Sequence, residues 1–180
     1  MDIKNFISAP FMVENSLAGL YNNTVQNFDT DRQLGAGRVQ IIDKIFIASP
    51  NQGIVMVKAK SRSSAKQYDT RMSFEGIEFQ QGEDGEGGNT TVIQSQDGQE
   101  YVIVPAEYNN SEVRVSCSCL DFYYRFAVWN SKDSSLLGNP PPPYVNKTDG
   151  GEPRNPNQVP GLCKHLMALS DDLRQQRVVK

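Results

Sequence analysis

Cysteine and histidine are among the scarcest residues in this 180-residue chain, and all of them fall in two tight pairs. Cys117 and Cys119 form a Cys-x-Cys, and Cys163 with His165 forms a Cys-x-His, so three cysteines and the single histidine are used with nothing left over. Three cysteines cannot all pair as disulfides within one chain. Free cysteines do serve as packing residues, and Cys163 facing either upstream cysteine is a further option. A set of four thiolate and imidazole donors, however, matches what a tetrahedral zinc ion takes. The expectation is one structural zinc held by Cys117, Cys119, Cys163 and His165. It constrains the fold strongly, because the chain must bring residues 117–119 to residues 163–165 across 43 intervening positions.

The local spacing sets further conditions. Two sulfurs on a tetrahedral ion lie about 3.8 Å apart, whereas residues i and i+2 of an extended strand stand roughly 6.6 Å apart. Cys117 and Cys119, in a run VRVSCSCLDFYYRF that reads as strand, must converge through rotamers or a bend, which small Ser118 tolerates. Downstream, Leu162, Leu166, Leu169 and Leu173 repeat at helical spacing after Pro160-Gly161. That places Cys163 in a first helical turn, where the dipole and unpaired amides favour a thiolate. Residues i and i+2 of a regular helix face nearly opposite ways, so Cys163 and His165 can share one centre only where the helix is beginning.

The remainder reads as β-rich. Val13, Leu17, Leu20 and Tyr21 mark one face of a short helix that Asn22 and Asn23 should end. This N-terminal arm, residues 1–36, suits either a docking arm for a neighbouring subunit or a lid on its own core. The run from Arg38 to Arg62 predicts two strands joined at Ser49–Gly53, RMSFEGIEF a third, and TTVIQSQDGQEYVIV a hairpin around Asp97-Gly98. Glu83, Asp84 and Glu86 in the glycine-rich loop GEDGEGGN do not fit the twelve-residue calcium loop, and the segment reads as a hairpin tip. The expected class is α+β: an antiparallel β region over 37–110, joined to a C-terminal helix through a zinc-bound ββα-like module over 111–180.

Charge excludes some functions. Residues 1–110 carry 9 basic and 14 acidic side chains, and residues 111–180 carry 9 and 7. No concentrated basic face, the footprint of phosphate binding, is visible. Phe122, Tyr123, Tyr124, Phe126 and Trp129 therefore read as core rather than base-stacking residues, with Phe122, Tyr124 and Phe126 on one strand face over the zinc. No stretch is apolar enough to span a membrane. The N-terminus lacks the apolar h-region of a secretory signal, so a reducing compartment is expected.

VSCSC followed by GLCKHL resembles the SWIM-type zinc motif, with a longer interval between the pairs than is usual there. That resemblance implies a first pair on a β-hairpin, a second at a helix start, and roles in DNA or protein binding. Over Val113 to Leu169, the stretch SCSCLDFYYRFAVWN, a proline-rich loop and RNPNQVPGLCKHLMAL are similar to uncharacterised virion proteins of tailed phages, marine and cyanobacterial ones especially. This implies a virion structural protein of the tail, baseplate or neck, assembled in the host cytoplasm, whose partners are other virion proteins in a multi-copy assembly. The loop 139–161, with Pro140 to Pro143 in a row, reads either as a contact surface anchored by Tyr144 and Arg154 or as a solvated linker. With the only histidine taken and four protein ligands closing a zinc shell, an enzyme is not expected. The alternative is a SWIM-like nucleic-acid-binding or regulatory module.

Overall fold

A computed structural model describes residues 15–29, 35–80, 89–142 and 153–180. The loop 82–88, Tyr144, and Val13 of the N-terminal arm lie outside the described residues.

Helix α1 spans Leu17–Asn27, capped by Ser16, whose hydroxyl accepts from the Gly19 N–H at 3.1 Å. It does not end at Asn22 or Asn23 as expected. Asparagine costs a helix only about 0.5–0.7 kcal/mol relative to alanine, and burial of Thr24 against the chain near Leu162 outweighs that.

Strand β1 (Gln40–Ser49) and strand β2 (Ile54–Arg62) form the predicted hairpin, turning through a 3-10 segment, Pro50–Gln52, with Gly53 at φ 63°. Strand β3 runs over Gln67–Phe74, earlier than the predicted third strand. Beyond Phe74 the chain leaves the ladder: Gly76 takes φ 72° and the Ile77 N–H donates to the Gly53 carbonyl. Strands β4 (Phe79–Gln80), β5 (Thr91–Gln94) and β6 (Glu100–Ile103) make a second antiparallel sheet in the order β4-β6-β5. The β5–β6 turn is the expected Asp97-Gly98, with Gly98 at φ 81°.

Strand β7 (Val113–Cys117) returns to pair antiparallel with β3, giving a four-stranded sheet in the order β1-β2-β3-β7. Alternation sorts its faces. Val57, Ala59, Thr70, Met72, Val113, Val115 and Cys117 turn inward, while Lys58, Lys60, Arg62, Asp69 and Arg71 face out.

The expected strand through the aromatic run ends at Cys117. Helix α2 (Leu120–Arg125) and helix α3 (Ala127–Lys132) follow. Aromatic preference for strands is mostly a preference for packed, half-buried surface, and here helical signals win: a capping residue at 119, Asp121 in the first turn and Arg125 in the last. Phe122 and Phe126 therefore share a helical i, i+4 face and are buried, whereas Tyr124 leaves that face and lies under the Arg154 guanidinium. The expected strand-face trio of 122, 124 and 126 is corrected accordingly.

Helix α4 (Lys164–Gln175) lies across the inner face of the four-stranded sheet. Its stripe Leu166, Leu169 and Leu173, with Leu162 ahead of it, is wholly buried. Lys44 of β1 pairs with Asp172 at the outer end. The α+β class holds, with antiparallel sheets, four helices among the described residues and a Cys/His cluster beside the C-terminal helix. No helix among the described residues is long and apolar enough to cross a membrane.

Candidate metal centre

Cys117 closes β7, opposite Thr70 of β3, and Cys119 is the N-cap of α2. Between them Ser118 is pinned to β3 from both sides: its N–H donates to the Asp69 carbonyl and its hydroxyl accepts from the Asp69 N–H, each at 2.9 Å. This clamp turns the chain out of the ladder and makes the bend that the Cys-x-Cys spacing requires. The Phe122 N–H donates to the Cys119 sulfur at 3.3 Å, and the Cys119 N–H to the Cys117 sulfur at 3.5 Å.

The second pair arrives at the start of α4. Cys163 is its N-cap, with φ −76° and ψ 167°, and His165 is its second residue. Extended geometry at Cys163 brings its side chain onto the same side as His165, which two residues within a helix cannot share. The segment leading there is fixed by three buried polar side chains. Asn155 donates to the Arg125 and Val159 carbonyls and accepts from the Val159 N–H. The Asn130 amide exchanges two hydrogen bonds with Gly161 at 2.9 and 3.2 Å. Thr24 accepts from the Leu162 N–H at 2.7 Å, and its single hydroxyl proton has the Leu20 and Leu162 carbonyls within reach at 3.0 and 3.2 Å. At Gly161 a Cβ would lie 2.5 Å from Thr24 Oγ1 and 2.8 Å from Phe126 Cε1, so only glycine fits that approach.

The four donor atoms lie within 4.8 Å of one another, and the His165 Nδ1 is 4.0 Å from both Cys117 Sγ and Cys163 Sγ. On a tetrahedral ion, sulfur–sulfur and sulfur–nitrogen edges are about 3.5–3.8 Å, so small side-chain rotations close the set. All four residues are buried, Cys163 completely. No protein family, curated protein or solved structure matches this chain. Neither the likeness to the SWIM motif nor that to phage proteins gains support from these comparisons; what stands is a Cys/His cluster that could bind a metal.

The thiols do not behave alike. Hydrogen bonds from Cys117 and Cys163 push Cys119 well below the usual thiol range. Sharing a proton with Cys119 raises Cys117, and burial followed by its two sulfur neighbours raises Cys163. Three buried sulfurs crowded together are a site that a soft divalent cation completes by replacing their protons. The cluster is geometrically suited to hold one metal ion.

Further contacts surround His165. Its Nε2 lies 2.9 Å from the Ser63 hydroxyl, and the Tyr68 ring packs over the imidazole with centroids 4.4 Å apart. Nothing in the sequence singles out Ser63, Tyr68, Thr24, Asn130 or Asn155, and Ser118, expected only to tolerate a bend, in fact clamps it. Only the Asn-Pro at 155–156 and the Pro-Gly at 160–161 signalled that the approach was structured. Arg154, the expected anchor, stacks over Tyr124 of its own chain at 5.5 Å.

Proposed function

We propose that this chain is a non-enzymatic structural protein in which one zinc ion, held by Cys117, Cys119, Cys163 and His165, fastens the four-stranded sheet to α2 and α4. It acts through assembly contacts, as a component of a tailed-phage virion at the tail, baseplate or neck. The observation that carries this reading is the buried donor set: four protein donors converge, and the sole histidine is among them. Structural zinc sites are closed by four protein ligands, whereas catalytic ones reserve a position for water. Zinc would supply a rigid crosslink between segments far apart in sequence.

Contact area for partners is available. Leu120 and Tyr123 stand exposed one turn apart on α2, and Ile42 and Ile45 are exposed on β1. Among the described residues, the outer edge of β1 is covered only near Phe46 and Ala48, which bond to Gln96 and Ser95, while β7 is covered by Ser135–Leu137 and Asn15. An edge of this kind is a template for pairing with another chain. Peptide mass spectrometry of purified particles tests the assignment: the protein should be found in them, and consistent absence from particles would refute it.

The rival nucleic-acid reading draws on the exposed Lys58, Lys60, Arg62 and Arg71 of the outer sheet face. There Lys60 is flanked by Asp43 and Asp69, its partners on either side, so the face is mixed in sign. Phosphate binding favours an uninterrupted basic surface. DNA or RNA retained at low salt and released steeply as salt rises would favour this rival.

A further inference from the structure

We infer that His165 engages its metal through Nδ1 and that Ser63, in the turn between β2 and β3, is the residue that positions it. The inference rests on the metal reading above and adds to it the residue that holds the imidazole in place and the identity of the ligating atom. Polar contacts on both of its nitrogens fix the ring. Nδ1 faces Cys117 and Cys163 at 4.0 Å each, while Nε2 faces the Ser63 hydroxyl at 2.9 Å. A half-turn about the Cβ–Cγ bond would put Cδ2 against the sulfurs and Cε1 against Ser63, leaving both sides without a polar partner.

Histidine carries one proton when neutral, and the nitrogen that keeps it is set by what the other side offers. The hydroxyl of Ser63 accepts from Nε2–H, which leaves the lone pair of Nδ1 directed at the thiol cluster. Tyr68, two residues before Thr70 on the same face of β3, packs over the ring and restricts its rotation. Ligating histidines elsewhere usually donate their second nitrogen to a carboxylate, carbonyl or water, and losing that partner weakens metal binding about 10–100-fold. Here a serine hydroxyl takes the role, and it joins the β2–β3 hairpin to the centre as a third anchored segment.

The test uses the full chain loaded with cadmium-113 for spectroscopy and with zinc for affinity. In wild type, metal–nitrogen coupling should appear at Nδ1, with a slowly exchanging proton on Nε2. Ser63→Ala should bind zinc about 10–100-fold more weakly in chelator competition, lose the slow exchange at Nε2, and keep its far-UV circular dichroism. Ser63→Thr, which restores a hydroxyl, should recover both readouts. Coupling at Nε2, or a Ser63→Ala protein with unchanged affinity and unchanged Nε2 protection, overturns this inference while leaving the metal centre intact. A wild-type chain that takes up neither metal overturns the centre itself, and this inference with it.

Discussion

Individual residues divide into those that would hold the metal and those that hold the chain ready for it, and substitutions separate the two. Cys119 does both jobs, being a donor and the N-cap of α2. Serine is among the best N-caps, so Cys119→Ser should keep α2 while losing a soft ligand: circular dichroism unchanged, metal uptake reduced to near zero. Retained stoichiometric metal would show that Cys119 is only a cap. Asn130 has the opposite character. Asn130→Ala leaves the Gly161 N–H and carbonyl unpaired in the interior, at a cost of about 1–3 kcal/mol for each, so urea unfolding should shift to a clearly lower midpoint. A shift below about 0.5 kcal/mol would mean that the approach segment needs no such tie. The convergence of Cys117, Cys119, Cys163 and His165 is legible in the sequence because cysteine and histidine are so scarce in it. Thr24, Asn130 and Ser63 were not, since each is a common polar residue whose partner lies 138, 31 or 102 positions away.

Elements with a strong single signal were legible, and those under competing signals were not. The Leu162–Leu173 stripe and the two turns at Ser49–Gly53 and Asp97-Gly98 appear as the sequence indicates, because periodicity and turn chemistry agree there. The stretch after Cys119 carries aromatic strand propensity against helical capping, and the cap prevails once Phe122 and Phe126 find burial at i, i+4. Strand β3 is displaced because the Gly76 turn, made by a close approach to Gly53, ends it at Phe74. The helix stripe yields a paired comparison. Leu169→Ala empties a fully buried site and should cost about 2–5 kcal/mol. Leu120→Ala, at an exposed position on α2, should stay within about 0.5 kcal/mol in an isolated chain. Equal effects in chemical denaturation would mean that α4 does not form the core described.

Across the whole molecule, the centre sits where three distant parts meet: the end of the four-stranded sheet, the start of α2 and the start of α4. The sheet and the leucine stripe bury an extensive apolar core beyond the four donors, and the approach to Cys163 is held by its own hydrogen bonds. Chelation under reducing conditions should therefore leave most secondary structure in place while lowering Tm by about 10 °C or more, given the roughly 2–4 °C per kcal/mol of a domain this size. Complete unfolding at room temperature would show instead that the metal is a condition of folding. The most direct measurement is elemental analysis of protein purified in reductant, beside Cys163→Ser. One zinc per chain, falling to near zero in the variant, is the predicted result. A wild-type chain without metal, or a variant that keeps its full complement, would contradict it.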